Sequence, residues 1–399
     1  MDTNLFEKFL EREPLFINKK VLQSDYSPET IPHRQIQINQ IAEILAPSLR
    51  LDKPSNLFIY GKTGSGKTLT VLHTTNKLTT LAQQRNTPIK ILYLNCKLKK
   101  VADTEYRLLA QLLRDLGKEV PPTGLPTEEI YKTFFSTIDQ EKQLVILVLD
   151  EIDELVKKMG DDVLYNFTRI NAELKKAQLS IIGISNDLIF ADNLDHRVKS
   201  SLSEEELVFP PYNALQLQDI LRERALQAFK QGCVGSGVIE KCGAYAAREH
   251  GDARRALELL RVAGELAERE GLGAVSLGHL DKAEEKIERD RVLDIVSSQP
   301  KQHQAALYAL IYIHQKEKRR IFTGEAYDYY KNLSTAIHLH PLTQRRFSDI
   351  ISELDMLGII NAKVLSKGRY GRTKEIDLSL PQHLLTRMTE LLQKDLHLS

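Results

Sequence analysis

Leu57-Phe58-Ile59-Tyr60-Gly61-Lys62-Thr63-Gly64-Ser65-Gly66-Lys67-Thr68-Leu69-Thr70-Val71-Leu72 decides how the chain is read. Its first four residues are apolar throughout, as a strand covered on both faces requires, and its last four open a helix-compatible stretch. Between them the glycines let successive backbone N–H groups turn inward, as they do around an anion. The N-terminus of the following helix adds the positive end of its dipole, and Lys67 can reach the outer phosphates of a nucleotide. Gly61, Lys62, Thr63, Gly64, Ser65, Gly66, Lys67 and Thr68 therefore read as a phosphate-binding loop, with the Thr68 hydroxyl offered to Mg²⁺. A flexible Gly-Ser turn is the plain alternative, but it does not account for the placement between strand and helix.

Working outward, Ile89 to Asn95, Leu144 to Leu149 and Leu179 to Ile184 are further apolar runs separated by helical patterns. Such runs predict a parallel sheet covered on two sides. The third run ends in Asp150-Glu151-Ile152-Asp153. Carboxylates at the end of a buried strand need compensation, and Asp150 is placed to hold Mg²⁺. Glu151 is the candidate to orient and deprotonate a water; a helix N-cap is the simpler reading of an Asp at a strand end. After the fourth run, Asn186 is expected to point its amide at the terminal phosphate or the water, and an Asx turn competes with that. Arg197 lies in His196-Arg-Val-Lys-Ser-Ser201, where a solvated surface arginine is the default. In Gly251-Asp252-Ala253-Arg254-Arg255, Asp252 marks a helix start. Arginines in a first turn oppose the helix dipole, so either a nucleotide phosphate compensates them or acidic neighbours Glu249 and Glu258 do.

Composition bounds the rest. The 399 residues suffice for two to four domains, and 42% apolar with 27% charged residues excludes a disordered or fibrous chain. Lys plus Arg (55) nearly cancel Asp plus Glu (54), so only local charge can indicate an acidic partner. Three cysteines make no disulfide framework, and Cys233 and Cys242 lack further Cys or His at ligand spacing, so a reducing compartment and no zinc are expected. Without a membrane-length apolar run or a secretory pattern, a cytoplasmic location and no membrane partner are expected.

The expected division is 1–211 for the α/β domain, 212–289 for a small all-helical domain, and 290–399 for a third. In the last, three helices precede strand-like 359–365 and 375–380 around Ser366-Lys-Gly-Arg-Tyr-Gly-Arg-Thr-Lys374, the outline of a winged helix. From Lys301 to Ser399 there are 15 Lys plus Arg against 10 Asp plus Glu, an excess of five concealed by the near-neutral total. Thr343, Gln344, Arg345 and Arg346 open a helix whose Phe347, Ile350, Ile351 and Leu354 face a core. They are candidates to meet DNA at a major groove or its rim, with Lys367, Arg369, Arg372 and Lys374 in the wing. A solvated face or a protein-binding face competes.

The chain closely resembles the archaeal origin-recognition and cell-division-cycle-six type replication initiators, within the AAA+ ATPase class. The resemblance is carried by IPHR (31–34), GKTGSGKT (61–68), YLNC (93–96), TEYRLL (104–109), LGKEVPPTG (116–124), LVLDEIDEL (147–155), GISNDL (183–188), RVKSSLSEEE (197–206), GDARRALELLRVAGELA (251–267) and GRYGRTKEI (368–376). It implies an α/β AAA+ P-loop ATPase domain with a helical insertion at 104–124, a helical lid and a winged helix. Lys67 and Thr68 resemble the phosphate-loop pair, Asp150 and Glu151 the Mg²⁺ and water residues, Asn186 the first sensor and Arg254 the second. Arg197 resembles an arginine facing a neighbouring subunit's nucleotide, and Tyr212 joins the nucleotide-binding set. The implied function is an ATP-dependent initiator, a weak ATPase serving as a switch, that binds double-stranded origin DNA. ATP or ADP with Mg²⁺ would be its cofactors, and other initiator subunits and the replicative helicase its partners. A clamp-loading or protein-remodelling AAA+ ATPase with a protein-binding third domain is the rival, as is a DNA-binding regulator whose nucleotide site is only a structural switch. Salt-dependent DNA binding and measurable turnover separate them.

Overall fold

Five strands, all parallel, form a sheet in the order β2-β3-β4-β1-β5 in the computed structural model, which describes residues 13–97, 103–121, 124, 126–202, 204–317, 320–366, 372–378 and 380–398. Along the chain the elements are α1 (Gln35–Leu45), β1 (Asn56–Gly61), α2 (Lys67–Gln84), β2 (Ile89–Asn95), α3 (Glu105–Asp115), α4 (Thr127–Ile138), β3 (Leu144–Asp150), α5 (Ile152–Met159), α6 (Asp162–Arg169), β4 (Gln178–Ser185), α7 (His196–Leu202) and β5 (Glu204–Phe209). Strands β1 and β3 are buried along their whole length and β4 along all but its first residue. Alternate side chains serve opposite faces. Phe58, Val145, Leu147 and Leu149 join a core with Leu108, Phe134 and Phe167 from α3, α4 and α6. Leu57, Ile59, Ile146 and Val148 join another with Ile41 of α1 and Val71 of α2.

The register brings the strand ends level: Asn95 lies opposite Asp150, Asp150 opposite Ile184, and Tyr60 opposite Ser185. The loop after β1, Asp150 at the end of β3 and Asn186 just past β4 therefore share one edge of the sheet, where open α/β sheets bind ligands. Strand β5 was not among the expected apolar runs. As the edge strand beside β1 it carries Glu204, Glu205 and Glu206 and buries only Leu207 and Phe209. An edge tolerates such charge, and a central strand does not.

Three helices follow, α8 (Ala214–Ala228), α9 (Val238–Arg248) and α10 (Ala253–Glu270). Asn213 and Gln216 form a capping box on α8, and the Asp252 side chain accepts from the Arg254 and Arg255 amides to cap α10. Residues 15–17, ahead of α1, are stitched to these helices. Ile17 donates to the Ala228 carbonyl at 2.7 Å, Lys230 donates to the Leu15 carbonyl at 3.0 Å, and the Phe16 and Phe229 rings lie 4.5 Å apart.

The structure divides into two compact units within α11 (Leu277–Ser298), the first ending at Leu280 and the second beginning at Asp281. The second contains α12 (Lys301–Glu317), β6 (Ile321–Phe322), α13 (Thr323–Ala336), α14 (Gln344–Met356), β7 (Asn361–Ser366), β8 (Arg372–Asp377) and α15 (Gln382–Asp395). An antiparallel sheet in the order β6-β8-β7 completes a winged helix. Phe347, Ile350, Ile351 and Leu354 of α14 are fully buried at helical spacing. Two elements lie beyond the expected three helices and ribbon: the short β6, and α15, which buries Leu384, Leu385, Met388 and Leu392.

Candidate nucleotide site and recognition-helix surface

The level strand ends and the start of α10 enclose a cavity of about 440 Å³. Thr63, Gly64, Gly66, Lys67, Thr68, Asp150, Glu151, Asn186, Tyr212 and Arg254 all reach its walls, which unites most of the expected nucleotide residues. Gly61 and Lys62 take part through their carbonyls. The Lys67 ammonium donates to the Gly61 carbonyl at 2.7 Å, to the Lys62 carbonyl at 3.0 Å and to Asn186 Oδ1 at 2.9 Å. That last bond places Asn186 at the tip of the phosphate-loop lysine. Burial pushes the Lys67 ammonium down to about 8; Asp150 opposes the shift and Arg254 adds to it. A buried cation so disfavoured is prepared to be recharged by an arriving anion.

The Thr68 hydroxyl donates to the Asp150 carboxylate at 3.0 Å, and the Tyr93 hydroxyl donates to Asp150 Oδ2 at 2.7 Å. Hydroxyl and carboxylate oxygens side by side are the hard donor set that Mg²⁺ takes, beside phosphate oxygens and water. The residues present thus fit a nucleotide with its magnesium ion. Glu151 has a left-handed backbone at the start of α5, and Lys97 Nζ lies 3.4 Å from its Oε2. Both Tyr93 and Lys97 line the cavity and were not expected there; Tyr93 stands in YLNC at the end of β2 and Lys97 just after it.

Two glycines admit close neighbours. Gly64 has φ +72, and a Cβ on it would stand 1.7 Å from Asp252 Oδ1; its carbonyl accepts from the Ala253 amide at 3.2 Å. The phosphate loop therefore touches the cap of α10 directly. A Cβ on Gly66 would stand 2.8 Å from the Tyr212 hydroxyl. Arg34, with 2% of its surface exposed, holds this assembly: Nε donates to the Ser65 carbonyl at 2.9 Å, Nη2 to the Pro210 carbonyl at 2.6 Å, and the guanidinium lies 3.8 Å from the Tyr212 ring centre. Sequence reasoning gave Arg34 no role beyond its place in IPHR. Burial of a fork of donors is visible only in three dimensions.

Arg197 is not brought into the cavity. Its side chain is 75% exposed and bonded to Asp195 at 3.1 Å. In α10, Arg255 pairs with Glu249 at 3.2 Å, while Arg254 lines the cavity.

In the winged-helix unit, Thr343 caps α14 by accepting from the Arg346 amide at 3.4 Å, and Gln344, Arg345 and Arg346 are exposed. Arg346 also lies 3.4 Å from Glu353. Lys374 departs from its expected place on the outer wing: its ammonium donates to the Ser348 carbonyl at 2.8 Å and to the Ser352 hydroxyl. The strand alternation of β8 turns this stem toward α14, where it joins wing to helix. Lys367, Arg369 and the side chain of Arg372 lie outside the described residues.

Three family models match the chain: an AAA domain over residues 50–189, a Cdc6 AAA+ ATPase-type lid domain over 218–285, and a CDC6 C-terminal winged helix domain over 294–387. The ORC1-type DNA replication protein of Thermococcus onnurineus is 53% identical over 388 residues, covering 95% of this chain and 93% of its own. ORC1-type DNA replication protein 1 of Methanosarcina mazei is 52% identical over 379 residues, covering 94% and 91%. Among solved structures, the Aeropyrum pernix ORC1 protein in complex with DNA is similar at 43% identity and a TM-score of 0.83, covering 96% of this chain and 97% of that one.

Proposed function

The chain belongs to the ORC1-type DNA replication proteins, a family built on the AAA+ ATPase fold, and from that membership we propose that it is an ATP-dependent initiator that binds double-stranded origin DNA and helps recruit the replicative helicase. The observation that carries the reading is a cavity in which the phosphate loop and the start of α10 meet, with Lys67 and Arg254 on its walls. A nucleotide there would touch both the α/β and the helical parts of the first unit, so that its hydrolysis could change their contact at Gly64 and Asp252.

In this mechanism the amides of Gly64 and Gly66 and the ammonium of Lys67 bind the phosphates, and Arg254 neutralises charge from the helical side. Thr68 and Asp150 would hold Mg²⁺, which supplies charge neutralisation at the phosphate oxygens when bound. Glu151 accepts a proton from the attacking water, Lys97 steadies its carboxylate, and Asn186 orients the water from its bond to Lys67. Arg197, exposed and tethered to Asp195, suits a role toward the nucleotide of a neighbouring initiator subunit. Turnover in such a switch is expected to be slow.

We assign 1–211 and 212–289 to the nucleotide-binding and lid functions and 290–399 to DNA. Thr343, Gln344, Arg345 and Arg346 would contact the duplex, supported by their exposure at one helix start and by the DNA complex of the Aeropyrum pernix protein. Lys367, Arg369 and Arg372 complete the assignment in the wing. Cytoplasmic, nucleoid-associated work fits this function; no helix among the described residues is long and apolar enough to cross a membrane. Footprinting on the organism's own origin regions with and without ATP tests the reading. Protection that requires Arg345 and Arg346 is expected, and ATP-independent protection of unrelated DNA to the same extent would refute it.

A further inference from the structure

Arg346 does not stand free at the start of α14. Its Nη1 lies 3.4 Å from Glu353 Oε1, about two helical turns on, and 3.8 Å from Asp349 Oδ2. Glu353 is in turn held from another element: its second oxygen, Oε2, accepts from Nε2 of His303 on α12 at 2.5 Å. An ionised carboxylate has no proton to give, so the ring nitrogen is the donor. The His303 side chain is 10% exposed, and its Nδ1 is buried without a hydrogen-bond partner among the described residues. Moving the carboxylate away would leave a buried ring with both nitrogens unpaired, which is costly, so Glu353 is anchored. The hydrogen bond from His303, ahead of the charge of Arg346, holds the Glu353 carboxyl below the usual carboxylate range.

One carboxylate thus serves two partners with different oxygens: a buried histidine that anchors it and an exposed arginine that it can aim. A guanidinium carries more N–H donors than one carboxylate oxygen takes, and the Arg346 side chain is 54% exposed, so donors remain for an acceptor outside the protein. A side chain already held in place loses less freedom when it binds. We propose that Glu353, anchored by His303, is a positioning residue for DNA binding: it fixes the Arg346 guanidinium so that its remaining donors meet a pair of acceptors on duplex DNA as a fork. Two oxygens of a phosphate, or O6 and N7 of a guanine, are such a pair. Asp349 supplies the contrast. It carries the same charge near the same arginine, but no hydrogen bond or ion pair among the described residues ties it to another element. The assignment rests on the reading of the α14 start as a duplex-binding surface, and its test is separable from that reading.

Charge and position predict opposite signs. Removing a carboxylate beside a DNA-binding surface tightens binding by itself, because the phosphates are less repelled, whereas losing the aim of Arg346 weakens it. Glu353→Gln is nearly isosteric, and its single amide oxygen cannot accept from His303 and Arg346 as two carboxylate oxygens do. The experiment measures the affinity of the full chain, at one salt concentration, for duplex from its own origin regions and for an unrelated duplex of equal length. The variants are Glu353→Gln, Asp349→Asn, Arg346→Ala, and Arg346→Ala combined with Glu353→Gln. Glu353→Gln is expected to weaken binding of the origin duplex on the order of three- to tenfold, while Asp349→Asn leaves it level or tightens it. In the Arg346→Ala background, Glu353→Gln should no longer weaken binding. Loss confined to the origin duplex assigns the acceptors to a base edge, and equal loss on both duplexes assigns them to phosphate. Binding unchanged or tightened by Glu353→Gln, an equal weakening by Asp349→Asn, or a weakening that persists without Arg346 overturns the proposal. So does loss of cooperative melting of the winged-helix unit in Glu353→Gln, which would make Glu353 a brace of the fold. A wild type that binds neither duplex refutes the DNA reading itself, and this assignment with it.

Discussion

The low proton affinity of Lys67 makes nucleotide binding pH-dependent in a defined direction. Burial holds its ammonium at about 8, with Arg254 adding to the depression, so the ligand-free protein has lost half of this charge near that pH. Phosphates beside the ammonium favour the charged form and raise its proton affinity. Binding therefore takes up a proton, and affinity must fall as pH rises through about 8. If the complex keeps Lys67 charged throughout, affinity scales with the protonated fraction of the free protein. From pH 7 to pH 9 that fraction falls about tenfold, equivalent to about 1.4 kcal/mol. Calorimetric titration with ADP at several pH values, in buffers of different ionisation heat, reads both the affinity and the proton uptake. About half a proton should be taken up near pH 8, and Lys67→Ala should remove the uptake while weakening binding. An affinity that stays level from pH 7 to 9, or a net release of protons, would refute the reasoning.

Glu151→Gln should leave nucleotide affinity within about twofold and lower turnover by about 10²–10⁴-fold, read by phosphate release. Arg34→Lys keeps the charge but loses the fork that joins the Ser65 and Pro210 carbonyls, so the first unit should be destabilised by about 2–3 kcal/mol in thermal melts. Replacing both Arg345 and Arg346 by Ala should lower the slope of log affinity for DNA against log salt by about 2. Lys374→Met should instead lower the melting temperature of the winged-helix unit and leave that slope unchanged, because its ammonium is bound to α14.

Much of this was legible in the sequence because the relevant signals are local. The glycine loop lies between apolar strand and helix, Asp150 ends an apolar run, and Asp252 precedes a helix it caps. The paired Arg254 and Arg255 could be read as an electrostatic question, but only the fold shows that one meets Glu249 and the other the cavity. What escaped depends on contacts remote in the chain. Strand β5 is hidden by three glutamates that an edge position tolerates, and Arg34 gains its meaning from carbonyls 31 and 176 residues away. Tyr93 meets Asp150 only because β2 and β3 pair in register. Lys374 reads as a wing cation by composition, whereas its stem lies across the helix it braces.

The account stands on coupling between nucleotide in the first unit and DNA binding by the winged-helix unit. Its most direct test is the affinity of the full chain for its own origin DNA, measured at one salt concentration with ATP, with ADP and without nucleotide. Distinct affinities in the three states, with the difference lost in Arg254→Ala, are expected. Three equal affinities would contradict it.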